Sequence, residues 1–255
     1  MAKQVLNTGV FRHGNIGYGL IDAKVTESPT KIDSSDTYNN NEIMIGRDSW
    51  QFTATVIKDD NKSIIPDTSA TTIVIELGRD AWIGTAYVLT VEIVGRIDDK
   101  VVLNVSGEFL PTAYHIRNLF NGASWYDGNN DGYPDDITSA WNNTPSYNTD
   151  PVYGLNLRYS SVTTADYLRK LATINIGTNY LWCVCHDNNI SQLSVSLDSG
   201  TGTPLTVPSV TTITEYGVIT SNSGDDRAEL DFNSPGSGYL YLYYLACGKI
   251  INQLS

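Results

Sequence analysis

The densest run of chemistry-bearing side chains is Asp127-Gly128-Asn129-Asn130-Asp131-Gly132-Tyr133-Pro134-Asp135-Asp136. Oxygen donors at Asp127, Asn129 and Asp131, with Gly132 turning the chain, fit the opening of a calcium loop. The twelfth position is Thr138, where an EF-hand needs a bidentate Glu, so an EF-hand is excluded. Two readings stand: a structural Ca2+ completed by Asp135 or Asp136, or a metal-free turn whose Asx side chains bond their own backbone. Around this run lie Trp125, Tyr126, Trp141, Tyr147 and Tyr153. Aromatic rings in a loop-rich stretch suit stacking on sugars with amides nearby, and Trp125, Tyr126 and Trp141 are the candidate glycan contacts. The alternative makes Trp125 and Trp141 core plugs beneath a long loop.

Catalytic patterns are absent. The three histidines (His13, His115, His186) occupy unrelated contexts, and no Gly-x-Ser-x-Gly elbow accompanies them. His186 follows Cys185, but no third group supports a thiol nucleophile there, so a satisfied structural histidine is expected. A glycosidase needs two carboxylates on rigid elements roughly 5–9.5 Å apart. The second half of the chain has only Glu215 and Glu229, and its aspartates fall mostly in turn-like segments. No glycine loop with a lysine cradles phosphate. The expectation is a protein that is not an enzyme.

Whatever positions these residues is built of strands. Charged residues make up 17% of the 255, while Thr, Ser, Asn, Tyr and Gly are abundant, a mixture suited to strands with hydroxyl-rich faces and tight turns. The net charge of -12 argues against a partner held through its phosphates and is compatible with a surface that lets DNA pass without sticking. Three cysteines are too few for a disulfide framework. Cys183 and Cys185, two apart in a strand-like run, share a face without meeting, so reduced thiols are expected. Met1 to Val10 shows no signal-peptide pattern, and no apolar run approaches the roughly 20 residues of a membrane span. A soluble chain made in a cytoplasm, with no membrane partner, is the expectation.

Period-2 alternation recurs along the first part. Trp50, Phe52, Ala54 and Val56 share a face, as do Tyr87, Leu89, Val91 and Ile93. Val101, Leu103, Val105 and Phe109 repeat the pattern, and Asp98-Asp99 makes a hairpin turn between the last two runs. Only Asp166 to Ala172 suggests a turn or two of helix. After an Asn/Asp/Gly/Pro-rich stretch, strands are expected at 154–160, 171–176, 180–186, 193–197, 211–220, 228–232 and 238–246, a sandwich or jelly roll. The boundary falls at residues 112–118, dividing a β-domain of residues 1–113 from one of residues 114–255. Gly46-Arg47-Asp48-Ser49-Trp50 echoes Gly78-Arg79-Asp80-Ala81-Trp82, each Trp anchoring a core strand; two copies do not make a repeat architecture. Tyr239, Tyr241 and Tyr243 alternate with Leu240 and Leu242, so one set faces outward.

The motif order in residues 8–112 resembles the tail-tube proteins of long-tailed bacteriophages. Thr8-Gly9-Val10-Phe11 opens it, Leu20 to Val25 resembles the first barrel strand, and Ile32-Asp33-Ser34-Ser35-Asp36 leads into a long loop. Ile45 to Ala54 is similar to the family's Pro-Gly-x-x-x-Trp strand, and Gly84 to Val91 to its Gly-x-Ala-Tyr-Ile-Thr strand. Residues 116–255 resemble the carbohydrate-binding-module-like jelly rolls of phage structural proteins. Asn118 to Trp125 opens that likeness, Asp131 to Asp136 gives its Asp-Gly-x-Pro-Asp turn, and Gly154 to Leu157, Gly177 to Trp182 and Gly238 to Tyr243 resemble its strands. The resemblances imply an all-β fold, a tail-tube-like barrel followed by a jelly-roll decoration domain. They imply a virion protein, assembled in the host cytoplasm and placed in the tail, where ring-forming (hexameric) copies surround a DNA-conducting lumen and meet other virion proteins. Host-surface glycans are further partners for the jelly roll. Tail-tube proteins also place a helix across the barrel, whereas residues 59–71 are short and contain Pro66. A capsid-surface decoration protein, or a carbohydrate-binding adhesin module, is the alternative.

Overall fold

A computed structural model describes residues 9–33, 43–58, 64, 69–120, 137–140, 146–162, 167–188, 193–198, 203–205, 212–222, 225–232 and 236–254. Regular structure among them is entirely strand, so the fold is all-β as expected. The first six strands are β1 (Gly9–His13), β2 (Ile16–Asp33), β3 (Ile43–Lys58), β4 (Thr71–Leu77), β5 (Asp80–Ile97) and β6 (Lys100–Phe109). They run in the order β5-β4-β1-β2-β3-β6, and β6 pairs back onto β5, closing a six-stranded barrel. Alternation puts one face of each strand inside: Phe11, Leu20, Trp50, Phe52, Val56, Ile73, Ile75, Leu103 and Val105 are all buried in one core. Gly107 lets β6 pass this core. A Cβ there would lie 2.2 Å from the Tyr87 carbonyl oxygen and 2.3 Å from the Phe52 ring. The expected hairpin at Asp98-Asp99 is present, with Ile97 opposite Lys100 and Asp98 at φ 54°.

One face expected from the sequence is corrected. The register of β5 against β6 shifts between Val88 and Thr90, so two residues oppose one and the alternation slips. Val88 is in the core and Leu89 is 55% exposed, instead of Leu89 sharing an inner face with Tyr87 and Val91.

Strand β7 (Tyr114–Arg117) falls within residues 112–118. It pairs with β5 on one side and with β17 (Gly236–Gln253) on the other. The remaining strands are β8 (Thr138–Ala140), β9 (Ser146–Asp150), β10 (Gly154–Val162), β11 (Tyr167–Leu171), β12 (Asn179–Asn188), β13 (Leu193–Ser196), β14 (Thr203–Pro204), β15 (Ile213–Thr220) and β16 (Arg227–Phe232). They form two sheets, β9-β10-β17-β12-β15 and β14-β13-β16-β11-β8. Leu157, Tyr159, Leu168, Trp182, Leu230, Phe232, Leu240 and Leu242 fill the core between them. The leucines of 239–243 face inward, and Tyr239 is 42% exposed.

The helix expected near 166–172 is a strand. β11 is held between β16 and β8, with Tyr167 opposite Asp231 and Arg169 opposite Glu229, and pairing on both sides overrides local periodicity. Residues 172–175, expected to be strand, follow β11 without regular structure.

A third core lies where the barrel meets the sandwich. Val74, Ala81, Ile83 and Ile116 pack on Leu181, Cys183, Cys185, Tyr244 and Ala246. Buried polar groups cross this junction. Tyr244 donates to the Glu76 carboxylate, and the Asn118 side-chain amide donates to Glu76 Oε2 at 3.1 Å. Asn118 Oδ1 accepts from the backbone N–H groups of Phe120 and Cys247. Arg12 donates to Cys185 Sγ at 3.1 Å, and Asn15 donates to the Thr212 carbonyl. All three cysteines are unbridged and buried. Burial pushes the Cys183 and Cys185 thiols up from their ordinary range, and that of Cys247 to about 12, so none is a ready thiolate.

Candidate functional site

The outer faces of β2, β3, β6 and β5 carry a shallow, open depression of about 310 Å3. Strand register builds it. Asp22, Thr55, Asn104 and Glu92 stand side by side across the four strands. Lys24, Thr53, Ser106 and Thr90 form a second row, and Thr26, Gln51, Glu108 and Tyr87 a third. These are the polar positions of the same alternation that buries Phe52 and Val105, so one period writes both the core and this face. Thr55 Oγ1 donates to Asn104 Oδ1 at 2.9 Å, and the hydroxyls of Thr90 and Ser106 lie 2.7 Å apart. The rows hold three carboxylates (Asp22, Glu92, Glu108) against one ammonium (Lys24), and Tyr87 is their one aromatic ring. Hydroxyls and amides hydrogen-bonded to one another, with excess negative charge, make a wetted surface that repels polyanions.

The same four strands have two edges. β2 pairs with β1 only over Gly9–His13, and β5 pairs with β4 only as far as Ala86. Among the described residues, β2 from Asp22 and β5 from Tyr87 therefore have a strand on one side alone. Along β5, Leu89, Ile93, Val94 and Ile97 are 49–74% exposed. Bare backbone donors and acceptors flanked by exposed apolar side chains are a template for strand pairing.

Two other clusters are chemically distinctive. On the outer face of the second sheet, Glu229 is buried and receives Arg169 Nε, with Arg227 at 3.8 Å. Its neighbour Asp231 accepts from Ser196 Oγ at 2.9 Å, and burial with the adjoining Glu229 carboxylate pushes Asp231 up to about 8. His186 is fully buried with Nε2 3.2 Å from Glu215 Oε1, while Cys185 faces Arg12 across the junction.

Asp127, Asn129, Asp131, Asp135 and Asp136, the calcium candidates, lie outside the described residues, as do Trp125, Tyr126 and Trp141. Among the described residues no group of three or more His, Cys, Asp or Glu side chains is placed to hold a metal ion. No described helix is long and apolar enough to cross a membrane.

No protein-family model matches the chain, and no curated protein matches it. Two solved structures show a partial likeness to it. The enzymatically active domain of bacteriophage CBA120 tailspike protein 4 is 19% identical, over 52% of this chain and 21% of its own, with a TM-score of 0.37. A glycoside hydrolase family 43 arabinoxylan arabinofuranohydrolase from Bacillus subtilis is 10% identical, over 78% of this chain and 52% of its own, with a TM-score of 0.32. The chain thus spans well under two thirds of either. Both are described as enzymes, and on that finding the expectation that this chain is not an enzyme is corrected. At such identities and TM-scores the likeness assigns it no reaction or substrate. One of the two is a bacteriophage protein; neither is a tail tube.

Proposed function

We infer that the chain is a virion building block whose copies join through β2 and β5 into rings, with the polar face of β2, β3, β6 and β5 turned to the lumen. One observation carries this: a four-stranded polar face with, among the described residues, an unpaired strand edge on each side. Pairing the β5 edge of one copy with the β2 edge of the next satisfies both and buries Leu89, Ile93 and Val94. Because the two edges differ, the contact is head-to-tail and closes only as a ring. Three carboxylates per copy then line the opening and let DNA pass without adhering. This is the arrangement that the tail-tube resemblance implies, with hexameric symmetry, a place in the virion tail and contacts to other virion proteins. Residues 114–255 form the outward module, held rigidly by the buried junction.

Electron microscopy of the purified chain at high concentration tests it. Rings or tubes are expected, and Ile93→Asp with Val94→Pro abolishes them while the far-UV spectrum stays β-rich. Monomers alone at every concentration, for the parent chain and in virions, overturn the reading.

A second reading, glycan binding by the sandwich, rests on the outward tyrosines. The Tyr239 and Tyr241 rings lie 6.1 Å apart, with the Arg158 guanidinium 4.4 Å above Tyr239. A glycan array on which the parent chain binds and Tyr241→Ala does not supports it; an array without any binding removes it.

A further inference from the structure

The segment that follows β17 returns to the barrel. After leaving the sandwich, β17 pairs with β7, and Leu254 enters the barrel core. Two backbone hydrogen bonds hold it there, from Thr112 N–H to the Leu254 carbonyl at 2.7 Å and from Leu254 N–H to the Ala113 carbonyl at 2.9 Å. Just beside this plug, four strands send polar side chains to one point. Glu27 of β2 accepts from Trp82 Nε1 of β5 at 2.9 Å and from Asn252 Nδ2 of β17 at 2.6 Å. His115 of β7 places Nδ1 3.0 Å from Glu27 Oε1 and stacks on Trp82 with ring centres 4.5 Å apart.

The other ring nitrogen is informative. His115 Nε2 is buried, has no hydrogen-bond partner, and lies 3.6 Å from Asp80 Oδ1. A neutral imidazole has one N–H. With Nδ1 donating to Glu27, the Nε2 lone pair faces a carboxylate, which is repulsive. A protonated ring turns both nitrogens into donors, one toward each carboxylate. The charged groups facing the ring are Glu27 from β2 and Asp80 from β5; β17 contributes the neutral Asn252, and Arg117 of β7 lies opposite Asp80 in register.

We propose that His115, held between Glu27 and Asp80, is a proton-operated clasp that tightens the C-terminal plug on the barrel when it is protonated and loosens it when it is neutral. The clasp ties β2, whose outer part has a free edge, to the strand returning from the sandwich. It operates within a single copy, whether or not copies assemble.

Hydrogen exchange at the Leu254 and Thr112 amides of the dilute, monomeric full chain reads the clasp directly, once intrinsic rates at each pH are divided out. Between pH 5.5 and 7.5 protection at these two amides falls about tenfold in the parent, the effect of one charge-assisted hydrogen bond. In His115→Gln the ratio between the two pH values is close to one. Asp80→Asn, at a half-exposed position, keeps the fold and lowers the ratio by removing the second carboxylate. Equal protection at both pH values in the parent overturns the proposal. So does a ratio unchanged from the parent in either variant.

Discussion

Replacing Glu76 by alanine probes the claim that barrel and sandwich share one core. The Glu76 side chain is fully buried at the junction and accepts from the Tyr244 hydroxyl and the Asn118 amide. Alanine removes the acceptor of two buried donors, leaving the Tyr244 hydroxyl without one and the Asn118 amide with only the Leu245 carbonyl at 3.4 Å, at about 1–3 kcal/mol each. Burial and the adjoining Glu76 carboxylate both hold the Tyr244 hydroxyl well above its usual range, so the phenol cannot ionise to compensate. The expected loss is about 3–5 kcal/mol, the range for breaking a buried charged network. Glu76→Gln keeps the size and one acceptor oxygen and costs about 1–2 kcal/mol. Urea unfolding followed by far-UV circular dichroism and tryptophan fluorescence measures both. With a slope near 3 kcal/mol per molar, alanine lowers the midpoint by roughly 1–1.7 M, and the two probes move together because β17 pairs both with β12 of the sandwich and with β7 beside the barrel. A shift below about 0.3 M, or a barrel transition that stays put while the sandwich melts early, refutes the shared core.

Asp231 sets a pH dependence of defined sign. Its folded-state value of about 8 lies above the ordinary aspartate value of 3.8, so the native chain keeps a proton that the unfolded chain releases. Stability is therefore full below the ordinary value and lost as pH rises toward about 8. Allowing for its partial exposure, the slope is about 0.5 kcal/mol per pH unit, and Asp231→Asn removes it; parallel midpoint-against-pH curves for parent and variant contradict this. Gly107→Ala forces a methyl group against the Phe52 ring and the Tyr87 carbonyl and costs about 2–3 kcal/mol by thermal unfolding. An unchanged melting temperature means that β6 does not pass the core as described.

Much of this architecture was legible in the residues. The alternation of Trp50 to Val56 and of Val101 to Phe109 marks two barrel strands, and its polar positions, Thr53, Thr55, Asn104 and Ser106, are the candidate face read backwards. The edges were not legible, because they depend on where β1 and β4 stop pairing, a property of barrel closure and not of local sequence. Leu89 was misplaced because a bulge adds one residue between Val88 and Thr90, which puts Tyr87 before it on the polar face while Thr90, Val91 and Glu92 after it keep the faces read from the sequence. β11 reads as helix because a five-residue strand with one buried side chain, Leu168, carries almost no periodic signal. Glu76, Asn118 and Tyr244 meet across strands far apart in the chain, and no spacing announces such a cluster. The same holds for His115, whose partners come from four separate strands.

The ring contact can be tested at the strands themselves. Lys24→Cys on β2 and Glu92→Cys on β5 lie at opposite sides of one four-stranded sheet and one row apart, about 16 Å at roughly 4.8 Å per strand and 3.4 Å per residue, beyond the reach of a disulfide within one copy. The native cysteines are buried with raised thiols and do not compete. Mild oxidation of the double variant should give a ladder of covalent oligomers ending at a closed ring, while each single variant gives at most dimers. A double variant that stays monomeric under oxidation, at concentrations where the parent assembles, contradicts pairing between the β2 and β5 edges.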